Sequence, residues 1–267
     1  MRILLALLLF PSILFAESYW QQHVHYTIDA TLNTKNHTIA GKEQLVYTNN
    51  SPDILNVVYF RLYWNLFIEG SYGQKVSERA KNFYHDTTGG IWLKKFIVVV
   101  DGLEQIPQYS IDNTLMEVQL PQPLRPGEQI TFRCEYEEKV PEGGNRTGHQ
   151  GRDYNIAQWY PQIATYDKYC WDKSQYLGSA EFHDEYGTFD VNVTLPRSFT
   201  LGFSGALLNP EEVYPDSVRQ RLRDSEGNLA TVRIADYSNH EWKDEDSVMV
   251  TWKFRAENVR DFAWTAN

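Results

Sequence analysis

The stretch "HVHYTIDATLN", residues 23–33, alternates apolar and polar side chains without a break. Val24, Tyr26, Ile28 and Ala30 fall on one side, and His25, Thr27, Asp29 and Thr31 on the other. A period of two is the signature of a strand with one face buried, because successive side chains leave a pleated backbone in opposite directions. "TKNHT" then turns the chain, and "IAGKEQLVYTNN" returns with the same rhythm, which predicts a β-hairpin. A chain that opens this way must bury one face of a sheet, and most of its later segments repeat the demand.

"ILNVVYFRLYWN" is rich in branched and aromatic residues and reads as a third, central strand. Asn65 to Gly90 breaks the rhythm and is expected to be a long surface excursion with one helical turn near Ser77 to Asn82. "IWLKKFIVVVDGLEQI" reads as a hairpin, since Asp101-Gly102 supports the positive φ angles of a tight turn. "TLMEVQL" and "ITFRCEYEEKV" are expected to pair across the Pro126-Gly127 corner. "PEGGNRTGHQGRDYN" reads as loop, and "EFHDEYGTFDVNVTLP", "FTLGFSGALL", "LATVRIAD" and "SVMVTWKFRA" as strands. The one clear helix follows Pro215-Asp216-Ser217 and ends at Gly227. The reading is an all-β fold of about ten strands, a curved two-sheet, saddle-like sandwich with one short helix.

The 17 Tyr, 13 Phe and 8 Trp suit strands, and 267 residues are enough to bury a core. The net charge of -10 and the lack of a Lys/Arg cluster argue against nucleic acid as a partner. Residues 1–16 combine Arg2, the apolar run Ile3 to Phe10 and a closing Ala16, the pattern of a secretory signal peptide. Spanning a bilayer takes about 20 apolar residues, more than this run offers. The expected mature domain is residues 17–267, exported to the periplasm or the extracellular space. Cys134 and Cys170 are compatible with a bridge or with two buried thiols.

The search for chemistry turns up little. His23 and His25 share a strand face, but no carboxylate or Cys beside them completes a metal set. "HEWKD" at His240 begins like a zinc-peptidase motif, but Asp244 stands where the second His belongs. "HDEYG" at His183 fails in the same way. No Gly-x-Ser-x-Gly elbow and no phosphate-binding glycine loop occur. The densest unusual stretch is "YNIAQWYPQIATYDKYCWDKSQY", in which aromatics alternate with amides and acids. That mixture serves a binding cleft or a core equally well.

With this stretch as its centre, and from about Tyr19 to the end, the sequence resembles the N-terminal domain of the aminopeptidase N and leukotriene-hydrolase type zinc metallopeptidases, the gluzincins. The resemblance is carried by "IAQWYPQIATYDKYCWDKSQYLGSAEFHDEYGTFDVNVTLPRSFTLGFSGALL", by the opening "HYTIDATLNTKNHTIAGKEQLVYTNNSP", and by "FRAENVRDFAWTAN", which is similar to the last strand of that domain. It implies a non-catalytic β domain that lines the substrate cleft and packs on a catalytic domain of the same protein. That other domain would bring the His-Glu-x-x-His zinc site, absent from these residues, so zinc is expected there and no metal ligand here. The resemblance places Gln158 at the family's cleft glutamine and Tyr160 where the family usually has Gln or Glu, making both substrate-binding candidates for a peptide's free amine. It also makes Trp159 to Trp171 and the final strand the expected contacts with the catalytic domain. The rival readings are a freestanding secreted module that binds peptide or carbohydrate, and a non-catalytic relative used for assembly.

Overall fold

The computed structural model describes residues 19–76, 89–143, 146–178, 182–234 and 245–267. The expected signal peptide, the helical turn near Ser77 to Asn82 and "HEWK" of the His240 motif lie outside them. The strands are β1 (His23–Asn33), β2 (Thr38–Thr48), β3 (Leu55–Arg61), β4 (Gly90–Val100), β5 (Leu103–Gln105), β6 (Tyr109–Asp112), β7 (Leu115–Leu124) and β8 (Gln129–Lys139). They continue with β9 (Gly148–Gln150), β10 (Asp153–Ile156), β11 (Gln162–Ile163), β12 (Gly187–Pro196), β13 (Leu201–Phe203), β14 (Ala206–Leu207), β15 (Met249–Val259) and β16 (Trp264–Ala266). The architecture is an all-β sandwich, and Asp216–Ser225 is its only helix longer than two turns among the described residues.

Three sheets share the strands. The large one runs β14-β15-β12-β1-β2-β8-β4-β5, and two smaller ones run β11-β3-β7-β6 and β13-β16-β10-β9. The opening hairpin forms as its alternation demands, with His23 opposite Thr48 and Asn33 opposite Thr38. Its even-numbered residues from Val24 to Leu32 are buried. The β4–β5 hairpin turns on Asp101 and Gly102, at φ 52° and 78°.

What local pattern did not reveal is which strands leave for another sheet. β7 and β8 do not pair across Pro126-Gly127: β7 lies between β3 and β6, while β8 lies between β2 and β4. The corner carries the chain from one layer to the next. The layers then meet through aromatic rings, Phe60 of β3 standing edge-on to Phe96 of β4 and Phe132 of β8 at 5.3 and 5.1 Å. β1 and β12 lie parallel, with Val24 opposite Gly187, and a Cβ on Gly187 would strike the Val24 backbone.

Three further expectations need correction. The excursion after β3 is not superficial at its start, since Tyr63–Phe67 form a buried 3-10 turn. Asn65 anchors it, its Oδ1 accepting from Ile91 N–H and its Nδ2 donating to Asn113 O. The expected loop over residues 141–155 contains the β9–β10 hairpin. Leu229 to Ile234 of the expected strand "LATVRIAD" form no strand, and its last two residues lie outside the described ones.

Among the described residues no helix is long and apolar enough to cross a membrane. Both cysteines are free thiols, Cys134 buried in β8 and Cys170 exposed.

Candidate functional site

The segment from β10 to β11 is short and crowded, and its geometry begins with the backbone of Gln158. Five described residues other than glycine have positive φ. Four of them, His37, Asp101, Asn113 and Asn258, are of the types that enter the left-handed region most readily. Gln158, at φ 51°, is the exception. Left-handed backbone brings Cβ against the following carbonyl and costs about 1–2 kcal/mol, so the surroundings must hold it there.

They do so through the turn before β16. Gln158 Nε2 donates to Asp261 Oδ2 at 2.9 Å and Tyr160 Oη donates to Asp261 Oδ1 at 3.0 Å. Trp159 Nε1 donates to Phe262 O at 2.8 Å, and Gln162 Nε2 to Arg260 O at 3.1 Å. Four side chains of one segment thus bind three consecutive residues of the other. Asp261 Oδ1 also accepts the Phe262 N–H at 2.8 Å. Burial raises the Asp261 carboxyl above its usual value, against the pull of the hydrogen bonds from Tyr160, Phe262 and Gln158.

The two predicted site residues are therefore brought together, on one carboxylate. Gln158 is partly exposed, whereas Tyr160 is wholly buried, packed edge-on to Tyr26 at 5.2 Å with its hydroxyl turned to Asp261. Trp159 and Trp171 are buried as well, and β16 lies between β13 and β10 with Trp264 and Ala266 inside. Trp159, Trp171, Trp264 and Ala266 thus belong to the core of this domain, while Lys168, Tyr169, Cys170 and Thr265 are exposed. A ring at the centre of an all-β body buries more apolar area against its own sheets than it could on a surface.

A second acid lies beside the first. Asp184 is 5% exposed, and Tyr63 Oη donates to its Oδ1 at 3.0 Å. Burial, and after it the charge of Asp261, pushes Asp184 up to about 7 despite Tyr63 and Arg61. Glu185, 4% exposed, is likewise pushed up to about 7 by burial, while its Oε1 accepts the Tyr166 N–H at 3.2 Å. Arg61 braces the same region, donating to the carbonyls of Asp172 and Ser174 and pairing with the Asp172 carboxylate at 2.8 Å. Motif reading misses Asp261 and Asp184. In sequence "HDEYG" stands out only as an incomplete metal motif, and nothing there joins Asp261 to Gln158.

Of the histidine candidates, His240 lies outside the described residues and His25 is paired with a carboxylate. His25 Nε2 lies 2.7 Å from Asp190 Oδ2. Among the described residues no group of three His, Cys, Asp or Glu side chains is placed to hold a metal ion.

No protein-family model matches the sequence, and no curated protein does. Solved structures do. The chain is similar to an M1 zinc metallopeptidase of Deinococcus radiodurans bound to a Tyr-Ser-Ala substrate, with 16% identity and a TM-score of 0.47 over 92% of this chain. It is also similar to a two-domain M1 zinc metallopeptidase bound to L-tryptophan, at 16% identity, a TM-score of 0.45 and the same 92% coverage. The chain spans only 42% and 43% of those two chains.

Proposed function

We propose that this chain is the N-terminal, non-catalytic β domain of a zinc aminopeptidase-like peptidase, lining the substrate cleft and packing on a catalytic domain of the same protein. We further propose that residues 1–16 export it to the periplasm or beyond the cell. The reading is supported by the motif order from "IAQWYPQIATYD" to "VTLP" and, above all, by the state of Gln158. Backbone strain in a residue type that rarely accepts it is a pointer to function, because it persists only where the neighbours enforce it.

The chemistry rests on the amide. Both Asp261 oxygens act as acceptors, Oδ2 from Gln158 and Oδ1 from Tyr160 and Phe262, so the amide turns its Nε2 to the carboxyl. Nε2 is turned inward, and Oε1 is left as the acceptor for an outside donor. A peptide's terminal ammonium is such a donor. Tyr160 is a positioning residue in this scheme: its hydroxyl holds the Asp261 carboxylate that holds Gln158. Zinc, when bound in the catalytic domain, would polarise the scissile carbonyl and activate water. The described residues of this chain offer no ligand set that fits it, and no step here runs through it.

The test is hydrolysis of amino-acid arylamides by the intact protein, with and without the Gln158→Ala change. The expected outcome is turnover by the wild type and a KM raised about tenfold in the variant, the loss of one hydrogen bond to a charged group. Absence of turnover in the zinc-loaded wild type, or an unchanged KM in a folded variant, would overturn the reading.

A further inference from the structure

A pocket of about 350 Å³ lies between the start of the described chain and the residues that follow β11 and precede β12, with Trp20, Tyr166, Asp167, Asp184 and Glu185 in its lining. Neither Gln158 nor Tyr160 lines it, so it is distinct from the Gln158 site. We propose that this pocket binds a small organic cation, a primary ammonium or guanidinium carried on an apolar or aromatic stem.

Its size is at the small end of the roughly 300–1,000 Å³ typical of small-molecule sites. The walls are aromatic and already ordered. Trp20 stacks on Tyr166 with centroids 5.8 Å apart and planes at 28°. Tyr166 is held in turn by Trp171, 5.0 Å away, and by its hydroxyl, which donates to Asp53 Oδ2 at 2.8 Å. Ring faces attract cations and tolerate apolar stems.

The polar side of the pocket is acidic, with Asp167, Asp184 and Glu185 in its lining. Asp184 lines the pocket and accepts the Tyr63 hydroxyl through Oδ1. Its side chain is only 5% exposed, so a charge on it gains from a cation brought into the pocket. Glu185 is nearly as buried and contributes a second carboxyl from the next position. Lys168 also lines the pocket, but its ammonium lies over the Tyr169 ring at 4.8 Å. Aromatic walls with two buried acids match a cation that has both a charged head and a flat or apolar body. A metal ion fits less well, since no three potential ligands converge among the described residues.

Calorimetric titration of the full chain with benzylamine and benzylguanidine, with benzyl alcohol as the neutral control, tests the proposal. Both cations should bind with sub-millimolar Kd, and the alcohol at least about tenfold more weakly. Trp20→Ala and Asp184→Asn should each weaken cation binding about tenfold, while Gln158→Ala should leave it unchanged. Trp20 is only partly buried near the start of the described chain, so its variant reports even if Asp184→Asn misfolds. No binding up to about 10 mM, equal binding of the alcohol, or cation binding that survives Trp20→Ala would overturn the proposal. Loss of binding in Gln158→Ala would place the cation at the peptide-amine site instead.

Discussion

Gln158 and Asp261 stand 103 positions apart in the chain, and one hydrogen bond of 2.9 Å joins them. Asp261 is the acceptor for three donors, Gln158 Nε2, Tyr160 Oη and the Phe262 N–H. Replacing it by Ala strands a buried hydroxyl and releases the turn before β16. Asp261→Ala should lower stability by roughly 2–4 kcal/mol, and Tyr160→Phe, which keeps the ring, by about 1 kcal/mol. Urea unfolding measures both. An Asp261→Ala midpoint equal to wild type would mean the carboxylate does not tie the two segments.

Backbone strain and side-chain chemistry at Gln158 separate by substitution. Gly enters the left-handed region freely, whereas Ala does not. Gln158→Gly should therefore be more stable than Gln158→Ala by about 1 kcal/mol, the reverse of the order in an ordinary strand. Both variants lose the amide and should show the same raised KM in the intact protein. Thermal unfolding in the order Ala above Gly would contradict the left-handed assignment.

Glu43 and Glu138 point inward from β2 and β8, among Ile39, Leu45, Cys134 and Tyr136. Burial holds both carboxyls well above the usual range, and neither oxygen of Glu138 has a partner among the described residues. The unfolded chain loses the Glu138 proton near pH 4.5, while the folded chain keeps it. The neutral acid therefore favours folding most fully below that value, and the advantage declines as pH rises toward the folded value. Over that window each such acid lowers stability by about 1.4 kcal/mol per pH unit. Glu138→Leu should remove one such slope and be more stable than wild type at pH 8. Parallel urea-midpoint profiles for the two proteins would refute this.

His37 and His149 stack with centroids 3.7 Å apart and planes at 8°, and His37 Nδ1 lies 2.8 Å from Tyr154 Oη. Burial, then His149 and Lys139, lowers the His37 pKa from 6.5, with Glu142 opposing. For a base the sign is opposite to that of the two glutamic acids. Stability is intact above the unfolded value and falls as pH drops through 6.5 towards the lower folded value. His37→Asn, which keeps a side chain tolerant of the positive φ there, should flatten the acid limb below pH 6.5. An unchanged limb in that variant would assign it to other groups.

Much of the strand content was legible because it is local. The inward set of β1 follows from alternation alone, and the β4–β5 turn follows from Asp101-Gly102. Glu43 and Glu138 are the contrary case: a run such as Glu135, Glu137, Glu138 reads as a solvated face, yet the structure buries Glu138 and Glu43. Helix Asp216–Ser225 was legible from its proline start and glycine stop.

The sequence by itself determined that this chain must build sheets and where most of its strands lie, and the resemblance it carries drew attention to Gln158. Only the tertiary structure decided that β7 and β8 part at their turn, that β12 lies parallel to β1, and that Trp159, Trp171 and Trp264 are core. It alone placed Asp261 under Gln158 and Asp184 in an aromatic pocket. The physical reason is range: backbone geometry and alternation act over a few residues and are written in them. Sheet partnership and buried charge depend on which distant surfaces exclude water together, and no short window of sequence records that.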